Sequence, residues 1–392
     1  MRFRRGRPVD ATPPTERELA IDRYRRGRST FEREAICNAP FTNLYFSVDG
    51  QASPCWLYFP PEVPRWSPER SIADIWNGPE FTAVREALRR DEFIGRCSEC
   101  EHDILTGNRP LAAAYDFDHP LGEWPSMLEL ELSNQCNLAC VMCHGGLSSR
   151  IRRERDHLPP IVSPYDDSFA DQVAELLPHL RELRFNGGEP LMQPIVHRIL
   201  ERVAEHRPDL KVTIATNGTV LNDKVRSLME RCSLHFNISI DSLVAERYEE
   251  IRVHSDFDTL MANFERFRAY CKANDRTLCV MVNPMRMNWM EMGDYVLWCN
   301  ERDVHLWFNT IREPRHLALH SLSGEELAAI HEELSRFDRS SLDPRRLTDR
   351  GRHNLGVFER FVDHQVATWR DEAYAREESG GVPVALTSTP KT

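Results

Sequence analysis

Three cysteines share one short stretch, Cys136-Asn-Leu-Ala-Cys140-Val-Met-Cys143. Thiolates are soft, strongly donating ligands, and three on one loop can hold three corners of an iron–sulfur cube. The fourth iron would keep an open position, which on a metal implies a bound substrate or cofactor. The alternatives are zinc completed by the adjacent His144, or three unrelated cysteines. Zinc ligands usually come as spaced pairs, and neighbouring Cys143 and His144 would crowd one ion. A second set, Cys37, Cys55, Cys97 and Cys100, ends in a Cys-x-x-Cys knuckle. On residue type alone, four thiolates with a knuckle favour structural zinc slightly over iron.

The surrounding composition narrows the class. The chain has 392 residues, 41% hydrophobic and 28% charged, which is long enough for a substantial core and two domains. A net charge of −11 argues against nucleic acid as the main partner. No apolar run reaches the roughly 18 residues of a membrane span, and the arginine-rich start has no apolar segment behind it. The expectation is a cytoplasmic protein. Grouped cysteines in such a chain point to metal or redox chemistry, not a disulfide framework. Cys232, Cys271, Cys279 and Cys299 are scattered and read as small buried residues.

The elements that must position these residues follow from periodicity. Residues 1–35, with Arg2, Arg4, Arg5, Arg7 and then Arg23, Arg25, Arg26 and Arg28, read as a flexible basic arm. Residues 36–110 hold short strand-like pieces, a helical stretch from Pro79 to Arg90 and the knuckle. From Met127, strands at 127–133, 182–186, 211–216, 234–241, 277–283 and 305–311 alternate with helical segments. This rhythm predicts an α/β fold with a parallel sheet.

Each strand carries one polar face. Leu128, Leu130 and Leu132 alternate with Glu129 and Glu131; Asn237, Ser239 and Asp241 share a side. A doubly covered sheet would be apolar on both faces, so a curved partial barrel with a ligand-holding lumen is expected. The barrel spans 125–312. Residues 313–392 then read as a helical extension, with helices near 323–337 and 355–375, and a disordered tail.

Cys136, Cys140 and Cys143 after the first strand, with Asn186-Gly187-Gly188-Glu189-Pro190 after the second, resemble the radical S-adenosylmethionine (SAM) superfamily. The resemblance implies a partial (β/α)6 TIM-like barrel whose [4Fe–4S] cluster binds SAM through its open iron. Reductive cleavage would yield a 5′-deoxyadenosyl radical that abstracts a substrate hydrogen. By the same resemblance Met142 packs on adenine, Gly187, Gly188 and Glu189 meet the SAM amino group, and Asn217, Ser239 and Asp241 lie at strand ends facing SAM or substrate. Arg252 falls near an arginine used on the SAM carboxylate, and Cys279 is a candidate hydrogen donor.

Residues 36–110, with Ser71-Ile72-Ala73-Asp74-Ile75-Trp76-Asn77 ahead of the knuckle, resemble the small cysteine-rich domain of the SPASM/twitch group. There it usually follows the barrel; here it precedes it. This implies a second, auxiliary [4Fe–4S] cluster on Cys37, Cys55, Cys97 and Cys100, with no iron left open for substrate. A low-potential donor such as flavodoxin or ferredoxin is implied too. The favoured substrate is a peptide or protein side chain. The alternatives are a hydroxyl-rich metabolite bound through Glu129, Glu131 and Asp241, and a zinc-binding module without catalysis.

Overall fold

In the computed structural model, the described residues are 13–28, 35–58, 63–108, 110–116, 121–340 and 342–379. The arginines at positions 2 to 7 and the tail from Gly380 lie outside them. One eight-stranded sheet organises the chain: β1 (Asn43–Phe46), β2 (Ala52–Ser53), β3 (Met127–Leu130), β4 (Glu182–Phe185), β5 (Lys211–Thr216), β6 (Leu234–Ser239), β7 (Leu278–Val282) and β8 (His305–Phe308). The spatial order is β2-β1-β3-β4-β5-β6-β7-β8. The pairs from β1 through β8 are parallel, and only β2 runs antiparallel.

The predicted split between faces holds. Register aligns Leu128, Leu183, Val212 and Leu234 on one face, where they are fully buried under the helices. The opposite face aligns Glu129 with Arg184 and Thr213, and Asn237 with Cys279 and His305. Helices on one face and polar side chains on the other make an open, partial barrel with a polar lumen.

Short polar caps start the helices that return the chain between strands. Asp166 accepts the amides of Ser168 and Phe169, Asn222 that of Val225, and Asp256 that of Thr259.

Three features differ from expectation. First, the cysteine-rich segment is part of the barrel sheet, because β1 pairs parallel with β3 and adds a seventh parallel strand. Second, the arm expected to be flexible contains a helix, Glu16–Gly27, started by a Thr15/Glu18 capping box. Ion pairs from Arg17 to Glu101 (2.7 Å) and Arg25 to Asp91 (2.6 Å) hold it down, and Arg28 just beyond it pairs with Asp116 (2.6 Å). Third, the last helical region starts at Asp349 and runs to Glu378 through a widened turn at Phe361–Val366.

That region covers the edge of the sheet. Buried Asn354 donates to Val304 O (2.9 Å) and accepts from the Leu306 amide (2.8 Å), so the open side of β8 does not face water bare. Asn354→Ala leaves one backbone donor and one acceptor unpaired, and is expected to lower the unfolding free energy by about 2–4 kcal/mol in a urea titration.

Candidate active site: two thiol clusters joined by one sheet

The loop after β3 carries Cys136, Cys140 and Cys143, and its shape is fixed from three sides. The Cys136 amide donates to Ser149 Oγ (3.2 Å), Ser148 Oγ donates to Leu138 O (2.7 Å), and Arg155 donates to Cys143 O (2.6 Å). On the fourth side, the amides of Ala139 and Val141 donate to Val253 O and Ile251 O. That pairing brackets Arg252 and carries its guanidinium to 3.9 Å from Cys140 Sγ. Asn217 brings its amide to 4.0 Å from Cys136 Sγ and donates to Asn137 Oδ1 (2.9 Å).

Burial, with the neighbouring thiols adding to it, pushes the Cys136 thiol up to about 11 and the Cys143 thiol up to about 12. Protons would have to leave these thiols on ligation, and a positively charged iron cube supplies the reason. Donors already aimed at two of the sulfurs suit thiolates. Three thiols with an Arg and an Asn directed at them therefore fit a [4Fe–4S] cluster. His144 does not complete a zinc set: it is exposed, and its Nδ1 accepts from the Gly146 amide (3.1 Å). Among the described residues no three ligating side chains converge tightly enough for a single metal ion. A cube takes each thiolate at a different iron and requires no such common point.

The glycine turn after β4 sits against this loop. Gly187 and Gly188 have φ of +70° and +49°. A Cβ on Gly188 would lie 2.5 Å from Gln135 O and 2.8 Å from Ser133 O, on the backbone leading into Cys136. Only glycine permits both the conformation and the approach. Gly188→Ala is expected to displace the cysteine loop and lower iron bound per chain, measured by iron and sulfide assay after anaerobic reconstitution.

Glu189 is fully buried. Its carboxylate accepts from the Leu191 amide (3.1 Å), Thr216 Oγ1 (2.8 Å) and the Asn217 amide (2.7 Å). It ties the glycine turn to the end of β5 and so places Asn217. Burial, outweighing these bonds, pushes the carboxyl up to about 7.

Asp241 differs from expectation. It was expected to face SAM or substrate, yet it is fully buried. One oxygen accepts from Arg252 Nε (2.8 Å) and Nη2 (2.6 Å), the other from the Asn283 amide (2.7 Å) and Asn283 Nδ2 (2.9 Å). The regular strand ends at Ser239, so the alternation that would aim Asp241 inward no longer applies. Its role is to hold Arg252. Ser239 lies beside Met281 on the polar face, and Met142 packs with Met285, Met287, Ile311 and Leu317 in an apolar patch.

Glu129 takes its hydrogen bonds on one oxygen, Oε2, and turns Oε1 toward Arg184. Asn43 Nδ2 (2.9 Å) and Tyr115 Oη (2.8 Å) donate to it, and Arg184 lies 3.6 Å away. Arg184 and Lys211 in turn pair with Glu182. These side chains form a charged layer on the lumen side.

Cys37, Cys55, Cys97 and Cys100 converge on one pocket, walled by Tyr58, Leu88, Phe93 and Tyr115. None of the four is in a disulfide. Burial raises all four thiols, Cys97 to about 12. Four sulfurs facing one apolar cavity fit a fully ligated iron–sulfur cube.

Comparison with known proteins agrees with this division. The Radical SAM superfamily model matches residues 130–292, and the SPASM iron–sulfur cluster-binding model matches residues 37–101, the latter beginning on Cys37 and ending just past Cys100. The chain carries a radical SAM domain. Its SPASM domain stands N-terminal to the radical SAM domain. Curated relatives include a GTP 3′,8-cyclase of Clostridium botulinum, 23% identical over 219 residues covering 53% of this chain and 64% of that protein. Another, from Pseudomonas fluorescens, is 26% identical over 183 residues, covering 46% and 52%. The chain thus spans less than two thirds of either relative. Among solved structures, Streptococcus suis SuiB bound to precursor peptide SuiA aligns over 58% of this chain and 48% of that one, with 13% identity and a TM-score of 0.42. The anSMEcpe structure with bound AdoMet aligns over 57% and 60%, with 18% identity and a TM-score of 0.42. No described helix of this radical SAM chain is long and apolar enough to cross a membrane.

Proposed function

We propose that this chain reductively cleaves SAM and uses the radical to abstract hydrogen from a peptide or protein side chain. The observation that carries the radical step is Arg252, held by Asp241 and directed at Cys140 within the three-thiol loop. Bound there, a [4Fe–4S] cluster would supply the electron that splits SAM into methionine and a 5′-deoxyadenosyl radical. The chain's own groups bind and orient. Cys136, Cys140 and Cys143 hold the cluster, and Gly187 and Gly188 admit the ligand to the backbone. Glu189 and Asn217 fix the loop, and Met142 with its apolar neighbours offers a surface for adenine.

The choice of a peptide over a hydroxyl-rich metabolite rests on the lumen. Of the three carboxylates that would bind hydroxyls, Asp241 is engaged by Arg252 and Asn283, and Glu129 by Asn43 and Tyr115. A nucleotide substrate, suggested by the name of the curated relatives, would call on free lumen cations for its phosphates. Arg184 and Lys211 are both paired with Glu182.

Anaerobically reconstituted protein should form 5′-deoxyadenosine with dithionite and SAM, and a short precursor peptide encoded beside its gene should accelerate this. Stimulation by GTP and by no peptide would reject the peptide reading. Colourless protein carrying zinc without sulfide would reject radical chemistry altogether.

A further inference from the structure

The four-cysteine pocket and the barrel lumen share a wall. Tyr115 supplies it: its ring lines the pocket, and its hydroxyl donates to Glu129 at 2.8 Å. Glu129 stands on the lumen face of β3, one strand from β1 and its Asn43. A single side chain therefore separates the pocket from a buried carboxylate.

We propose that Tyr115 and Glu129 couple proton uptake to electron uptake at the four-cysteine site, an inference that rests on that site holding an iron–sulfur cluster. One electron enters the cluster from an external low-potential reductant and adds one negative charge across the Tyr115 ring. One proton from solvent then binds the Glu129 carboxylate; no other bond forms or breaks. Reoxidation releases both. A lumen substrate losing an electron to this site would have a base beside it for the accompanying proton.

The surroundings set the sign. Arg184, Tyr115 and Asn43 favour the carboxylate, while burial and nearby Glu182 favour the acid; burial is the largest influence, and the net direction is upward. Glu129 is thus poised so that a further negative charge promotes protonation. Tyr45 packs nearby and Lys211 reaches Glu182 from β5. A rival stands on the other side of the pocket: Asp103, which acts on Cys100 and is itself pushed up to about 6, chiefly by burial.

The test is the midpoint potential of the auxiliary cluster against pH, followed by electron paramagnetic resonance. Full-length protein with Cys136, Cys140 and Cys143 changed to Ala isolates that signal. The potential should fall with rising pH at up to about 59 mV per unit, the value for one proton and one electron. Glu129→Gln should flatten the dependence with the signal retained, Tyr115→Phe should reduce it, and Asp103→Asn should leave it. A potential independent of pH overturns the coupling, and so does a slope lost in Asp103→Asn but kept in Glu129→Gln. Should Glu129→Gln fail to fold, Tyr115→Phe and Asp103→Asn decide. Absence of any cluster signal overturns both the coupling and the cluster assignment beneath it.

Discussion

Cys140→Ala is expected to reduce 5′-deoxyadenosine formation by more than about 100-fold, beyond what loss of a supporting residue costs at a metal site. Cys140 is the most enclosed of the three thiols and the one Arg252 addresses. Cys136→Ala and Cys143→Ala should behave alike, because two remaining thiolates cannot hold a cube with one iron open. The four-cysteine pocket lies elsewhere in the fold, so the variants should keep its iron. Iron and sulfide per chain should fall to about half. A Cys140→Ala protein that still cleaves SAM would remove the site assignment.

Asp241→Ala should be among the most damaging single changes outside the cysteines. It leaves the Arg252 guanidinium buried without its carboxylate, a situation that costs about 3–5 kcal/mol. It also strips Asn283 of its acceptor and releases the group aimed at Cys140. Stability and activity can be separated. Changing both partners, Asp241→Ala with Arg252→Met, removes the unpaired charge and should recover most of the stability in a denaturant titration. SAM cleavage should stay low in that double variant, since the cation beside Cys140 is gone. If the double variant recovers both, Arg252 has only a structural part.

Much of this architecture was legible because strand alternation is a local signal. Glu182–Phe185 and Lys211–Thr216 lie within or on their expected spans, and the polar faces follow from period two. What was not legible depends on distant partners. Arg252 cannot be placed by counting from Ser239, because its position comes from backbone bonds between residues 139–141 and 251–253. The Glu16–Gly27 helix buries only Ala20 and Ile21, so it has almost no apolar period; its anchors, Asp91 and Glu101, lie more than sixty residues on. The hydrogen bonds to Glu129 need Asn43, 86 residues upstream, and Tyr115, 14 residues upstream.

The addition of β1 to the sheet bears on how this protein can be dissected. A fragment beginning near Pro125 would bring Met127–Leu130 out as a raw parallel edge, with the amides and carbonyls that meet Asn43–Phe46 turned to solvent. Such an edge recruits other chains. Expressed alone, the barrel half should gather into inclusion bodies, and supplying residues 13–116 from a second plasmid should draw it back into solution.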